Sequence, residues 1–127
     1  LKLKSGDVFS HTHTFTREEV EQFGMLTGDQ GRHHTEQDSG GRVMVQGLMT
    51  ASIATKIGGD LNYIARKMVS EFLRPVFTGD TITCEVTLTK VERMEGRKNL
   101  EMTSIYTNQL GKIVMQGTSH GIIKSIK

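Results

Sequence analysis

Residues 43–59, VMVQGLMTASIATKIGG, carry the fold. Apolar or small side chains fill almost every position, and only Gln46 and Lys56 interrupt with long polar groups. As a helix this segment is greasy most of the way round, and such a helix belongs inside a domain. It is too short and too rich in Thr and Ser to cross a bilayer, which takes about 20 apolar residues. A helix over 43–57, rising roughly 1.5 Å per residue, makes a rod of about 20 Å, the width of a small sheet. Gly58-Gly59 is the expected stop, because glycine enters the left-handed C-cap conformation without steric cost. Taken alone, the segment predicts a core helix that the remaining chain must cover.

Downstream the period changes. Residues 62–76, NYIARKMVSEFLRPV, read as one long strand with Tyr63, Ala65, Met68 and Phe72 as packing candidates. Its pairing ends at Pro75, which has no N–H to donate. After a turn at Thr78-Gly79-Asp80, residues 81–93 alternate cleanly, with Ile82, Cys84, Val86 and Leu88 on one face. That pattern marks a half-buried strand. Turns at Glu95-Gly96 and at residues 108–111 introduce two more strands, over 98–107 and 112–123. Successive strands joined by short turns are expected to pair as antiparallel neighbours.

Upstream, residues 8–15 suit a strand on which His11 and His13 share one face. Thr16 with Glu19 forms a capping box for a short amphipathic helix carrying Val20, Phe23, Met25 and Leu26, and Gly28 stops it. Residues 29–42, DQGRHHTEQDSGGR, are polar or glycine and read as a loop. The expected architecture is α+β, an antiparallel sheet wrapped around one long helix.

At 127 residues the chain has room for one domain, over 1–127, with one core. Net charge is +2, with sixteen basic and fourteen acidic residues dispersed along it. That argues against a nucleic-acid partner, which calls for a basic stripe. No Trp, five Phe and two Tyr also supply few base-stacking platforms. No signal peptide or membrane span is visible. Cys84 has no disulfide partner, so a reducing cytoplasm is the expected location, with the thiol as a small buried hydrophobe. The histidine pair lacks a third ligand nearby, and no metal site is expected.

Chemistry points to Asp29 and His34. A carboxylate and an imidazole five residues apart can hold one water molecule and exchange protons with it; the same residues would also suit a solvated loop. Beside them, the start of the central helix at Val45-Gln46-Gly47-Leu48 offers unpaired N–H groups and the positive end of the helix dipole. Gly47 has no side chain to hold a ligand carbonyl away, so a developing oxyanion could be stabilised there. Equally, Gly47 could serve only to let a strand pack closely on the helix. Ser52, Thr55 and Cys84 lack the neighbours of a nucleophile.

Together these residues resemble the MaoC-like dehydratase family of hot-dog-fold proteins, which includes (R)-specific enoyl-CoA hydratases. The matching stretches are FGMLTGDQGRHH (23–34), QGLMTAS (46–52) and FLRPVFTGDTI (72–82). The resemblance implies a hot-dog dimer with acyl-thioester sites at the subunit interface, acting on a coenzyme A or acyl carrier protein thioester without a cofactor. Asp29 and His34 would add water to the β-carbon of a trans-2-enoyl thioester, and Gly47, with Gln46 beside it, would hold the thioester oxygen. This chain has Gly31-Arg32 where the family usually has Asn-Pro, Gln46 where the helix usually opens with His, and a shorter 34–46 segment. A hot-dog thioesterase and a non-catalytic acyl-CoA binder are the competing readings. Arg32, Arg66, Lys67 and Arg74 are the cations available for coenzyme phosphates.

Overall fold

A computed structural model describes residues 2–125. Strand β1 (Val8–Thr14) leads into helix α1 (Arg17–Thr27), and a short helix α2 (Arg32–Thr35) interrupts the polar segment. The central helix is divided into α3 (Gly47–Ala51) and α4 (Ile53–Leu61). Strands β2 (Ile64–Phe72), β3 (Thr81–Met94), β4 (Arg97–Thr107) and β5 (Ile113–Lys124) follow. All five strands form one antiparallel sheet in the order β1-β3-β4-β5-β2. The expected antiparallel sheet with one central helical segment is therefore present, but α4 buries only Ile53, Ile57 and Leu61 and leaves Thr55, Lys56, Gly59 and Asp60 exposed.

The β3–β4–β5 meander follows from the short turns, but β2 does not neighbour β3. It pairs with β5, from Ile64 opposite Ile122 to Phe72 opposite Met115. The reason is edge availability. Strand β3 already has β1 on one side and β4 on the other, so the free side of β5 is where β2 can dock.

The central helix differs from expectation at both ends. Residues 43–45 are extended: Val45 N donates to Val76 O at 2.7 Å, Thr78 N donates to Val43 O at 3.0 Å, and Met44 bridges Phe77. Val43 and Val45 are buried and Met44 is only partly so. That is a strand's period of two, which β-branched residues favour. At the other end the helix continues through Gly58-Gly59 to Leu61, and Asn62 takes the left-handed cap at φ 57°. Ile57 and Leu61 lie one turn apart and both enter the core. Their burial outweighs the roughly 1 kcal/mol that each glycine costs a helix.

The division at Ser52 has a defined cause. Thr55 N donates to Ser52 O at 2.9 Å rather than to Ala51 O. The buried Tyr106 hydroxyl fills that place, donating to Ala51 O at 3.0 Å. Removing it leaves a buried carbonyl unpartnered, so Tyr106→Phe is expected to lower stability by about 1–3 kcal/mol. The measurement is a shift in the urea midpoint without a change in slope.

The core lies between α4 and the inner sheet face. Ile82, Cys84, Val86 and Leu88 point into it, all essentially fully buried, as the alternation in β3 predicts. Helix α4 lies against β1 and β3. Burial pushes the Cys84 thiol up to about 11, so the group behaves as a packing residue, not a thiolate. In β2, by contrast, Ala65, Met68 and Phe72 are exposed in the single chain, although they share the inward face. The strand ends at Phe72, earlier than expected, because Leu73 N and Arg74 N both turn to Val114 O.

Candidate active site

The capping box that starts α1 is present: Glu19 N donates to Thr16 Oγ1, and Thr16 N donates to Glu19 Oε1. His13 Nε2 lies 2.8 Å from Glu19 Oε2, so this histidine braces the helix start. At the other end Gly28 takes the left-handed conformation, φ 82°, and its N–H donates to Gly24 O. That cap releases the chain directly into Asp29. The chain then folds back across Gly24, where a Cβ would stand 3.1 Å from Asp29 O and 3.2 Å from Gln30 Nε2.

His34 sits in α2 and is 7 % exposed. Two bonds clamp α2 to the extended 43–45 segment: Met44 N donates to His33 O at 2.9 Å, and His34 Nδ1 lies 2.7 Å from Met44 O. A carbonyl only accepts, so Nδ1 carries the proton, and in the neutral form of the ring Nε2 presents a lone pair. Nε2 faces Asp29 Oδ2 across 3.5 Å, longer than a good hydrogen bond. Asp29 Oδ1 meanwhile accepts from Gly31 N at 3.3 Å, which turns Oδ2 toward the imidazole. In the neutral form two acceptors face one another and are arranged to share a donor. A water molecule giving one hydrogen to each satisfies both.

His34 separates two clefts. One, of about 370 Å³, runs past His33, His34, Gly47, Phe72 and Arg74, with Val45 and Val76 in its walls. The other, of about 220 Å³, lies on the Asp29 side and includes Gln46. The expected residues thus converge around one imidazole, but they do not share one cavity: Gly47 belongs to the first cleft, Asp29 and Gln46 to the second.

Gly47 is the first residue of α3, where helix geometry leaves the N–H without an intrahelical acceptor. The Phe72 ring packs on it so closely that a Cβ there would come within 2.8 Å of Phe72 Cε1. Close packing of a strand on this glycine is therefore real. Gln46 is 1 % exposed, and its Nε2 donates to Val20 O at 3.0 Å. Because Val20 O only accepts, the amide oxygen must point the other way, and it is an acceptor. The Gln46 amide oxygen is therefore a buried acceptor with no hydrogen-bond partner among the described residues.

Of the four cations available for phosphate, Arg74 alone borders the cleft that holds His34 and Gly47. Its guanidinium donates to Ile113 O. Arg32 pairs with Glu36, and Arg66 lines a separate hollow with Lys90, Arg97 and His120. The Met44 carbonyl, which sets the His34 tautomer, carries no sequence signal because it is a backbone atom. Phe72 was readable only as a packing residue. Among the described residues no group of three His, Cys, Asp or Glu is placed to hold a metal.

No protein-family model matches the sequence, and no curated protein sequence matches it. Solved structures do. An (R)-hydratase from A. caviae involved in PHA biosynthesis superposes with a TM-score of 0.83 at 24% identity, covering 97% of this chain and 98% of that one. An R-hydratase from Pseudomonas aeruginosa gives 0.83 at 19% identity, over 98% of this chain and 84% of the other. A MaoC-like dehydratase from Rhodospirillum rubrum gives 0.78 at 18% identity, over 98% and 95%. The sheet order, the buried helix and these superpositions together establish that the chain has the hot-dog fold of these hydratases and dehydratases.

Proposed function

We propose that the chain is a MaoC-like (R)-specific enoyl-CoA hydratase, working in reverse as a 3-hydroxyacyl thioester dehydratase. The observation that carries this reading is the 3.5 Å gap between Asp29 Oδ2 and His34 Nε2, with the other imidazole nitrogen committed to Met44 O. Water bridging the two groups from beside them gives a proton to the pair as its oxygen bonds to the β-carbon of a trans-2-enoyl thioester. The electron pair of the double bond moves toward the thioester, whose oxygen takes up enolate charge beside the Gly47 N–H. The α-carbon then takes a proton back from the pair on the same face. Microscopic reversibility gives the dehydration, so one pair serves as base and acid in turn.

The larger cleft fits the acyl thioester. Its walls are largely apolar, and Arg74 stands at its rim as a cation for the phosphates of the carrier, coenzyme A or acyl carrier protein. The fold match to hydratases of 19–24% identity supports the reaction class and leaves the acyl group open. The chain is further proposed to act as a homodimer. Strand β2 is a sheet edge nine residues long with Ile64, Met68, Val69 and Phe72 exposed, and such apolar exposure on a free edge calls for cover. No helix among the described residues is long and apolar enough to cross a membrane.

The test is a panel of trans-2-enoyl and saturated acyl-CoAs, following loss of enoyl absorbance and release of free thiol together. Hydration of crotonyl-CoA or a longer enoyl-CoA without thiol release is the expected result. Thiol release from saturated substrates would make the same carboxylate a thioesterase base. Ligand-dependent thermal stabilisation with no turnover at all would leave only a binder.

A further inference from the structure

The free edge of the sheet carries a charge pattern that the proposed reaction does not use. Along β2, Met68 pairs with Ser119 and Ser70 with Gly117 on the inner side of the sheet. Lys67, Val69 and Glu71 pair with His120, Thr118 and Gln116 on the outer side. A bulge between Ala65 and Lys67 puts Arg66 on the outer side as well, where it lines a hollow with His120 and Glu101. Gln116 Nε2 donates to Glu71 Oε1 at 3.0 Å and holds that carboxylate at the edge. Lys67 and Glu71 stand roughly 13 Å apart along an extended strand, at about 3.3 Å per residue, so they do not meet within one chain. Charges on an edge normally repel other edges. Here their signs are opposite at the two ends of the strand, so an antiparallel copy of the same edge is attracted.

Paired residues share one side of the pleat, so a two-fold axis between two copies of β2 falls on a residue: Met68, Val69 or Ser70. Centred on Met68, Lys67 meets Val69 and Glu71 meets Ala65. Centred on Ser70, Lys67 meets Leu73 and Glu71 meets Val69. Only the axis at Val69 sets Lys67 against Glu71 of the other copy, twice, with Met68 against Ser70. We propose that two chains join in this register, and that each thereby delivers its Arg66 to the active-site cleft of the other as a second cation for the phosphates of the thioester carrier. The inference rests on the hydratase and dimer readings above and names what the second copy adds to the site. In this register Arg66 stands directly opposite Phe72 of the other copy and diagonal to its Arg74, about 7–8 Å away and within reach of a long side chain. Phe72 and Arg74 both line the cleft that holds His34 and Gly47. Exposed ion pairs contribute little affinity, so Lys67 and Glu71 choose the register while Met68, Val69 and Phe72 supply the apolar contact. The two guanidiniums repel one another until a phosphate lies between them, and their planar forks match its oxygens.

Charge reversal tests the register without any activity. Lys67→Glu and Glu71→Lys each set like charges opposite one another and are expected to raise the dimer dissociation constant about tenfold or more in sedimentation. The double variant, which exchanges the pair, should return to the parent's value. A monomeric parent, a dimer indifferent to the single reversals, or a double variant no better than the singles overturns the proposal. This arm is decided even if the chain hydrates nothing. The second arm reads the shared site. Arg66→Ala is expected to raise KM for crotonyl-CoA about tenfold with kcat nearly unchanged, and to leave KM for the phosphate-free crotonyl pantetheine thioester at the parent's value. An equal rise with both thioesters would overturn the phosphate role. The crotonyl phosphopantetheine thioester keeps the one phosphate common to coenzyme A and acyl carrier protein. A rise there places Arg66 on that phosphate, and a rise with crotonyl-CoA alone places it on the nucleotide end. A mixed dimer decides which chain Arg66 serves. One copy carries Asp29→Asn with Arg66 intact and the other Arg66→Ala with Asp29 intact, so the working site belongs to the second copy. The parent's KM is expected, because the first copy supplies the arginine. The raised KM of the Arg66→Ala dimer would mean that Arg66 serves its own chain, and the proposal would fall.

Discussion

Asp29→Asn and His34→Ala are each expected to lower the rate of enoyl-thioester hydration by about 10²–10⁴-fold, the usual contribution of a positioned acid–base group. The two act differently. Asparagine keeps an oxygen for Gly31 N but turns an N–H toward Nε2, so the pair can bond directly and displace the bridging water. Alanine at position 34 removes the base and also frees Met44 O, loosening the clamp between α2 and the 43–45 segment. The asparagine variant should therefore keep the parent's melting temperature, while His34→Ala should melt lower as well. Steady-state hydration of crotonyl-CoA, read beside thermal melts, separates the effects. Parental rates in both variants would remove the proposed roles from these residues.

The largest effect on stability is expected from Gly121→Ala. A Cβ at Gly121 would stand 2.2 Å from Ile64 O and 2.7 Å from Tyr63 Cζ. The first obstacle is backbone, so no rotamer change relieves it. Alanine there must push β2 off β5 where Ala65 faces Gly121. Overpacking typically costs about 1–3 kcal/mol and occasionally more, and a cost near 3 kcal/mol is expected here. Gly59→Ala is the matched control: Gly59 lies inside α4 with nothing within 4 Å of the added methyl. Alanine at that position is expected to stabilise by about 0.5–1 kcal/mol. Urea titrations of the two variants should move the midpoint in opposite directions. Because β2 is the free edge proposed for dimerisation, Gly121→Ala should also weaken self-association, which sedimentation would register.

Much of the site could be read from local signals. Thr16 and Glu19 announce the start of α1, Gly28 announces its end, and Asp29 follows without slack. The carboxylate and imidazole five residues apart could be named as a pair, yet their 3.5 Å spacing could not. It depends on α2, a four-residue helix within a segment that reads as loop, and on a carbonyl ten residues away. Gln46 illustrates the limit more sharply. Its neighbours place it at a helix start, where a donor toward a thioester oxygen is the natural expectation. Only the approach of Val20 O, from a helix 26 residues upstream, claims the amide nitrogen and leaves the buried oxygen without a partner among the described residues.

By itself, the sequence determined what depends on residues close along the chain. The alternation of β3, the capping of α1, the meander of β3, β4 and β5, and the greasy helical core belong to that set, because period and turn chemistry are local properties. Tertiary structure alone decided where β2 docks, where the central helix begins and ends, and which side of His34 each partner occupies. Those outcomes turn on which sheet edge remains open, on burial of Leu61 against two helix-weakening glycines, and on backbone carbonyls that no side-chain pattern encodes.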